Sequence, residues 1–174
     1  MQSEGPTVSP AFRIAAVAVL AAVTTVFTLL IQVPSPARGY FNLGDVAIAF
    51  TAYTFGPLTA LISGGIGTAL ADLIGSYVQW APITLVTHGL EGLVIALIFR
   101  LRPSNPIVVI LAGIAGVAVM VGGYLAGGIL LTGIGPALAE APGNVVQSAA
   151  GVIVGIPLSI AVTRAYPPVR RFGW

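Results

Sequence analysis

GYFNLGDVAIAFTAYTFGPLTALISGGIGTALADLIG, residues 39–75, is almost wholly apolar, yet it carries two carboxylates, Asp45 and Asp72, and a glycine cluster at its centre. A charged side chain inside a bilayer costs on the order of 2.5 to 3.5 kcal/mol on insertion scales, so such groups face an interior cavity or a partner rather than lipid. The stretch therefore reads as membrane-embedded backbone built around something polar. From Val46 to Trp80 it holds one charge, Asp72. A single helix over that range would run to about 50 Å, too long for one crossing of about 30 Å. Two short spans joined at Ser63-Gly64-Gly65 fit better.

The rest of the chain agrees. Of its 174 residues 57% are hydrophobic and 7% charged, and the mean hydropathy is +1.02; ordinary soluble domains carry roughly 25% charged residues. Spans are expected at 11–31, 46–63, 64–78, 82–99, 107–131 and 144–163, after a short polar tail at 1–10. The chain reads as one all-α integral membrane domain with six transmembrane helices. The first apolar run is as long as a full span and no basic segment precedes it, so it is read as a retained helix rather than a cleaved signal.

Sidedness follows from the arginines. All seven basic residues are Arg. Six spans place both termini on one side, read as the cytoplasmic one. Arg13, Arg100, Arg102, Arg164, Arg170 and Arg171 then lie inside and Arg38 outside, as the positive-inside rule asks. A five-span arrangement with an external N-terminus would also leave one arginine outside, Arg13, so the choice rests on the hairpin. So few cations exclude a nucleic-acid partner. The absence of cysteine excludes disulfides and thiolate metal sites. The outer loops, at 32–45, 76–82 and 132–143, carry Pro, Gly and aromatics, whereas the inner segment RLRPSNP at 100–106 is a basic turn. The chemistry is expected outside.

Two patterns stand out. In the first span Ala11, Ala15, Ala18 and Ala22 recur at helical spacing, a stripe of small residues that lets another helix approach closely in lipid; it fits either a partner or this protein's own helices. In the fourth span Thr84, His88 and Glu91 share one face, and Asn144, Gln147 and Ser148 share another at the start of the sixth. With Tyr40, Phe41, Asn42, Tyr77 and Trp80 they supply stacking surfaces and hydrogen-bonding groups suited to a small aromatic ligand. Taken singly, the aromatics also fit an interfacial belt. Asp45 reads as the N-cap of the second helix. Asp72 is a tie to His88 or to a neighbouring helix, or a functional group, and Glu91, beside Gly89 and Gly92, a group that holds helices together.

The run Gly39-Tyr-Phe-Asn-Leu-Gly-Asp45, followed in order by Phe55-Gly-Pro57, Gly64-Gly-Ile-Gly67 through Gly75, Ala81-Pro-Ile-Thr84 and His88-Gly-Leu-Glu-Gly92, resembles the substrate-binding S components of energy-coupling factor (ECF) vitamin transporters. It is most similar to the branch linked to riboflavin, hydroxymethylpyrimidine and related thiamine or pyridoxine precursors. The resemblance spans about 11–162. It implies six helices around an outward-facing vitamin pocket capped by the loop between the first two. It also implies no catalysis and no cofactor, and partnership with a transmembrane coupling protein and two ATPases in a prokaryotic plasma membrane. Family members dock on the coupling protein through small residues in an AxxxA arrangement on the first helix, and Ala11/Ala15 and Ala18/Ala22 match it. One departure is His88, where many relatives have Lys; a permanent cation becomes a titratable group.

No G-x-x-x-x-G-K-[ST] phosphate loop is present, so energy comes from elsewhere. Two other classes fit less well. A proton-coupled secondary transporter would use Asp72 or Glu91 as a relay but shows no inverted repeat. An intramembrane metal enzyme would need Asp72, His88 and Glu91 as ligands, a weak set with no activated nucleophile beside it.

Overall fold

The computed structural model describes residues 8–172. Its elements are α1 (Pro10–Leu30), the short strands β1 (Val33–Pro34) and β2 (Tyr40–Phe41), α2 (Gly44–Phe55), α3 (Pro57–Ile74), α4 (Ala81–Leu101), α5 (Pro106–Thr132), α6 (Ile134–Ala165) and a terminal 3-10 helix (Pro167–Phe172). The fold is all-α apart from the two-residue antiparallel ladder. Helix starts follow local chemistry. The Ser9 hydroxyl accepts from the Phe12 amide at α1, Asn105 does the same for Ile107 at α5, and prolines at the first turns of α1, α3, α4 and α5 sit where no intrahelical donor is needed.

α1, α3, α4, α5 and α6 are long and apolar enough to cross a membrane. α2, at twelve residues, reaches only about 18 Å and is not. α2 is instead the innermost element, packed against α1, α3, α4 and α6, with every residue but Phe50 buried; a helix that is apolar all round belongs inside. Below it, the terminal 3-10 helix closes the space: Val169 packs with Leu20 and Phe55, and Phe172 with Phe12 at 4.9 Å between ring centres. The outer surfaces of the five long helices expose large aliphatics such as Leu130 and Ile153, as lipid contact requires.

The hairpin break differs from the sequence reading. The chain turns at Gly56, whose φ of 99° and ψ of −177° belong to a region open essentially to glycine alone, and Pro57 starts α3. Ser63-Gly64-Gly65 lies within α3. The spans expected at 46–63 and 64–78 are therefore 44–55 and 57–74. The glycine cluster acts in packing rather than turning: a Cβ on Gly65 would lie 2.6 Å from the Leu85 carbonyl of α4. On the opposite flank the Thr25 hydroxyl of α1 donates to the Gly67 carbonyl at 2.7 Å.

A second correction concerns 132–143, expected as an outer loop. α5 and α6 are joined by Gly133 alone, at φ 89°, and α6 is helical from Ile134 rather than from 144, with Pro142 and Pro157 inside it. Proline interrupts one ladder bond, which neighbouring helices tolerate in an apolar bundle. At the other end α1 begins at Pro10, so the polar tail is shorter than 1–10, and residues 1–7 lie outside the described part.

Candidate functional site

The polar groups at one end of the bundle converge on one cavity beneath the segment that links α1 to α2. That segment is held as a lid from several sides. The Ser35 amide donates to the Gly39 carbonyl at 3.0 Å, and the Gly39 amide to the Ser35 hydroxyl at 3.1 Å. Trp80 Nε1 reaches the Arg38 carbonyl at 3.3 Å. The Tyr40 hydroxyl donates to Asp72 Oδ1 of α3 at 2.8 Å, while the Asn42 amide donates to Gln147 Oε1 of α6 at 2.8 Å. Burial, and then the neighbouring Asp72 carboxylate, push the Tyr40 phenol well above its ordinary range, so this latch keeps its proton.

Beneath the lid the walls are aromatic on one side and polar on the other. Trp80 and Tyr124 lie 5.7 Å apart by ring centre, and His88 meets the edge of Tyr124 at 5.4 Å. The Tyr124 and Thr84 hydroxyls share a hydrogen bond of 2.9 Å. His88 Nδ1 and Glu91 Oε2 are 2.8 Å apart, and Ser148 donates to the other Glu91 oxygen at 2.8 Å, so the fourth and sixth helices are tied through a carboxylate that is fully buried.

The structure gathers Tyr40, Asn42, Trp80, Thr84, His88, Asn144 and Gln147 around this cavity. Phe41 and Tyr77 lie elsewhere. The Phe41 ring crosses Gly143, where only a hydrogen leaves room, in a separate apolar cleft of about 540 Å³ between lid, α2 and α6. Tyr77 backs Tyr40 at 4.4 Å between ring centres. Asp45 is not the N-cap of α2: it lies one residue inside, and Asn42 Oδ1 accepts from the Gly44 amide at 2.7 Å. Asp45 Oδ2 accepts instead from Gln147 Nε2 at 2.6 Å. Asp72 pairs with Tyr40 and lines the cavity, and no hydrogen bond joins it to His88.

Sequence reasoning missed Thr28, Thr68, Met120, Tyr124 and Glu140, which also line the cavity. Two of them carried a signal: Tyr124 is the sole aromatic of a 27-residue apolar helix, and Glu140 is one of five acidic residues in the chain. The enclosed space is about 20 Å³, room for a water and far less than a heterocycle fills. A heterocycle would fit here only if the lid and the aromatic wall parted.

Asp45, His88 and Glu91 offer ligand atoms within 4.8 Å of one another. Both Glu91 oxygens, one Asp45 oxygen and His88 Nδ1 are already engaged in hydrogen bonds, which makes the cluster a polar tie between helices. The trio of Asp72, His88 and Glu91 weighed from sequence does not form such a cluster among the described residues.

A family model described as ECF-type riboflavin transporter, S component, matches residues 11–164. The chain is 31% identical over 154 residues to the thiamine precursor transporter HmpT of Lactococcus lactis subsp. cremoris (strain MG1363), covering 87% of this chain and 88% of that protein. It is 40% identical over 146 residues to an uncharacterized protein in a gap 3' region from Pyrococcus woesei, covering 83% of this chain and 97% of the relative.

Proposed function

The chain belongs to the family of ECF-type riboflavin transporter S components, and from that premise we propose that it captures a vitamin or vitamin precursor at the outer membrane face and delivers it for ATP-driven uptake. It is a transporter subunit and not an enzyme. The observation that carries the reading is the lidded cavity, a polar, aromatic-walled space at one end of an apolar bundle, closed by a segment that hydrogen-bonds to α3, α4 and α6. Site residues on this reading are Trp80 for stacking and Asn144, Thr84 and His88 for polar contact, with Tyr40, Asn42 and Gln147 fastening the lid.

The energy source lies in partners: a transmembrane coupling protein and two ATPases. Ala11, Ala15, Ala18 and Ala22 are all exposed on α1, which leaves the small-residue stripe open to a coupling helix. The membrane is the prokaryotic plasma membrane, with both termini cytoplasmic. Loaded ligand topples inward with the whole subunit.

Uptake by proteoliposomes tests this reading. Accumulation of labelled vitamin precursor is expected only with the coupling protein, both ATPases and internal ATP. Accumulation driven by a pH gradient with this chain alone would replace the proposal with a proton-coupled carrier.

A further inference from the structure

We propose that the arginine-bearing end of the bundle holds a binding site for the headgroup of an anionic phospholipid, seated in the cleft between α4 and the terminal 3-10 helix and gripped by Arg100 and Arg170. The site lies at the opposite end from the lidded cavity and is independent of what that cavity binds. It rests only on the chain's passage through a membrane.

The cleft encloses about 220 Å³, bounded by the last turn of α2 with Gly56, by Phe99, Arg100 and Pro103 at the end of α4, and by Arg170. Its walls are fixed from behind. The Tyr53 hydroxyl donates to the Val109 carbonyl of α5 at 2.9 Å, and its ring meets Phe99 edge-on at 5.1 Å between centres. Thr54 donates to the Ser159 hydroxyl of α6 at 2.9 Å. Val169, packed with Leu20 and Phe55, anchors the 3-10 helix that presents Arg170. A cavity held in this way loses little freedom when it is filled.

The two arginines are exposed and uncommitted. Among the described residues the one ion pair joins His88 and Glu91, and neither guanidinium donates to a carbonyl or to another side chain. Arg100 lies in the last turn of α4, where a cation offsets the helix dipole, but that role leaves its hydrogen-bond donors free. A guanidinium offers five N–H groups in a planar fork that matches phosphate oxygens in pairs. Two such forks on one cleft, with no carboxylate lining it, call for an anion.

The walls decide which anion. Tyr53, Phe55 and Phe99 line the cleft with rings, and the neighbouring Leu101 is 75% exposed, so the cleft opens where lipid-facing surface meets the charged end. A free phosphate gains nothing from the rings. A phospholipid uses both features: its phosphodiester meets the arginines while its glycerol and first methylenes cover the aromatic wall. Basic pockets between transmembrane helices hold lipid headgroups by this chemistry. A zwitterionic lipid brings an ammonium that the arginines repel, which selects the net-anionic class.

Thermal unfolding of the purified full chain in an uncharged maltoside detergent tests this, with phosphatidylglycerol, phosphatidylcholine and inorganic phosphate as probes. Phosphatidylglycerol is expected to raise the midpoint by about 5 °C, and the other two by less than about 1 °C. Arg100→Gln and Arg170→Gln, on separate elements, should each at least halve that shift, and the double variant should abolish it. Arg164→Gln removes an equal charge at the same end but outside the cleft, and should keep the shift.

An equal shift with phosphatidylcholine, a full shift in the folded double variant, or a loss in Arg164→Gln as large as in the cleft variants would each overturn the site. Inorganic phosphate acting as strongly as phosphatidylglycerol would replace the lipid with a free anion. No shift with phosphatidylglycerol would also refute the proposal; if the double variant then failed to co-purify with the coupling protein, the two arginines would belong to an acidic protein contact instead.

Discussion

Tyr40 and Asp72 are 32 positions apart and meet through one hydrogen bond of 2.8 Å, so a single hydroxyl links the lid to α3. Tyr40→Phe removes the donor and leaves the Asp72 oxygen unmatched, a loss of about 1 to 3 kcal/mol. Stopped-flow release of bound ligand should accelerate roughly 10-fold or more; an unchanged rate would mean that the lid is held elsewhere. The raised phenol keeps this donor protonated through neutral and mildly alkaline conditions, so its contribution should stay flat there and be lost only as strongly alkaline pH deprotonates it. The cavity wall is a second residue-scale target. Trp80→Ala removes the stacking surface and Asn144→Ala the remaining side-chain amide, and each should weaken ligand affinity by about 1 to 3 kcal/mol, measured by titration. Much of this site was legible in sequence because polar residues in an apolar chain are few and each needs a reason. His88 and Thr84 announced themselves by spacing. Tyr40 and Phe41, by contrast, are neighbours in sequence and point to different cavities, a consequence of strand alternation that composition does not reveal.

Among the elements, the turn between α2 and α3 is the most exacting. Gly56→Val puts a branched side chain where φ is 99° and should cost about 1 to 3 kcal/mol, read as a lower melting temperature in detergent. Gly65→Leu, by contrast, sets a side chain against the Leu85 backbone and should separate α3 from α4, with loss of folded protein. On α1, Ala15→Leu with Ala18→Leu fills the exposed stripe. Co-purification with the coupling protein should disappear while ligand titration is unchanged; retained co-purification would exclude α1 as the docking face. The helical hairpin was visible in sequence from its length and its lone charge, but its break was not. Gly56-Pro57 and Ser63-Gly64-Gly65 both look like turns, and the approach of α4 explains why the second remains helical. The same ambiguity hid the start of α6, where glycines and prolines read as a loop until their neighbours are known.

For the molecule as a whole, charge is sorted by depth. Asp45, Asp72, Glu91 and Glu140 belong to the cavity and the ties around it, whereas six of the seven arginines sit at the opposite end. Because the chain has no cysteine, single probes can read its orientation. Pro36→Cys in the lid should react with an impermeant thiol reagent from outside intact cells, and Ser104→Cys, in the turn between α4 and α5, only after permeabilisation. Labelling of both from one side would refute the six-helix arrangement. The fold was legible at this scale because apolar runs, basic turns and their order constrain a bundle strongly.

One element defies that legibility, and the reason reaches into biogenesis. α2 is too short to bridge the bilayer, and nearly all of its surface is claimed by neighbours, three of which, α3, α4 and α6, follow it in the chain. A segment of that kind cannot partition into lipid on its own merits. Its burial is complete only once α3, α4 and α6 have all been made. Truncated chains ending before α4 should accordingly stall as unshielded intermediates, so the order of synthesis is itself part of how this ligand chamber is assembled.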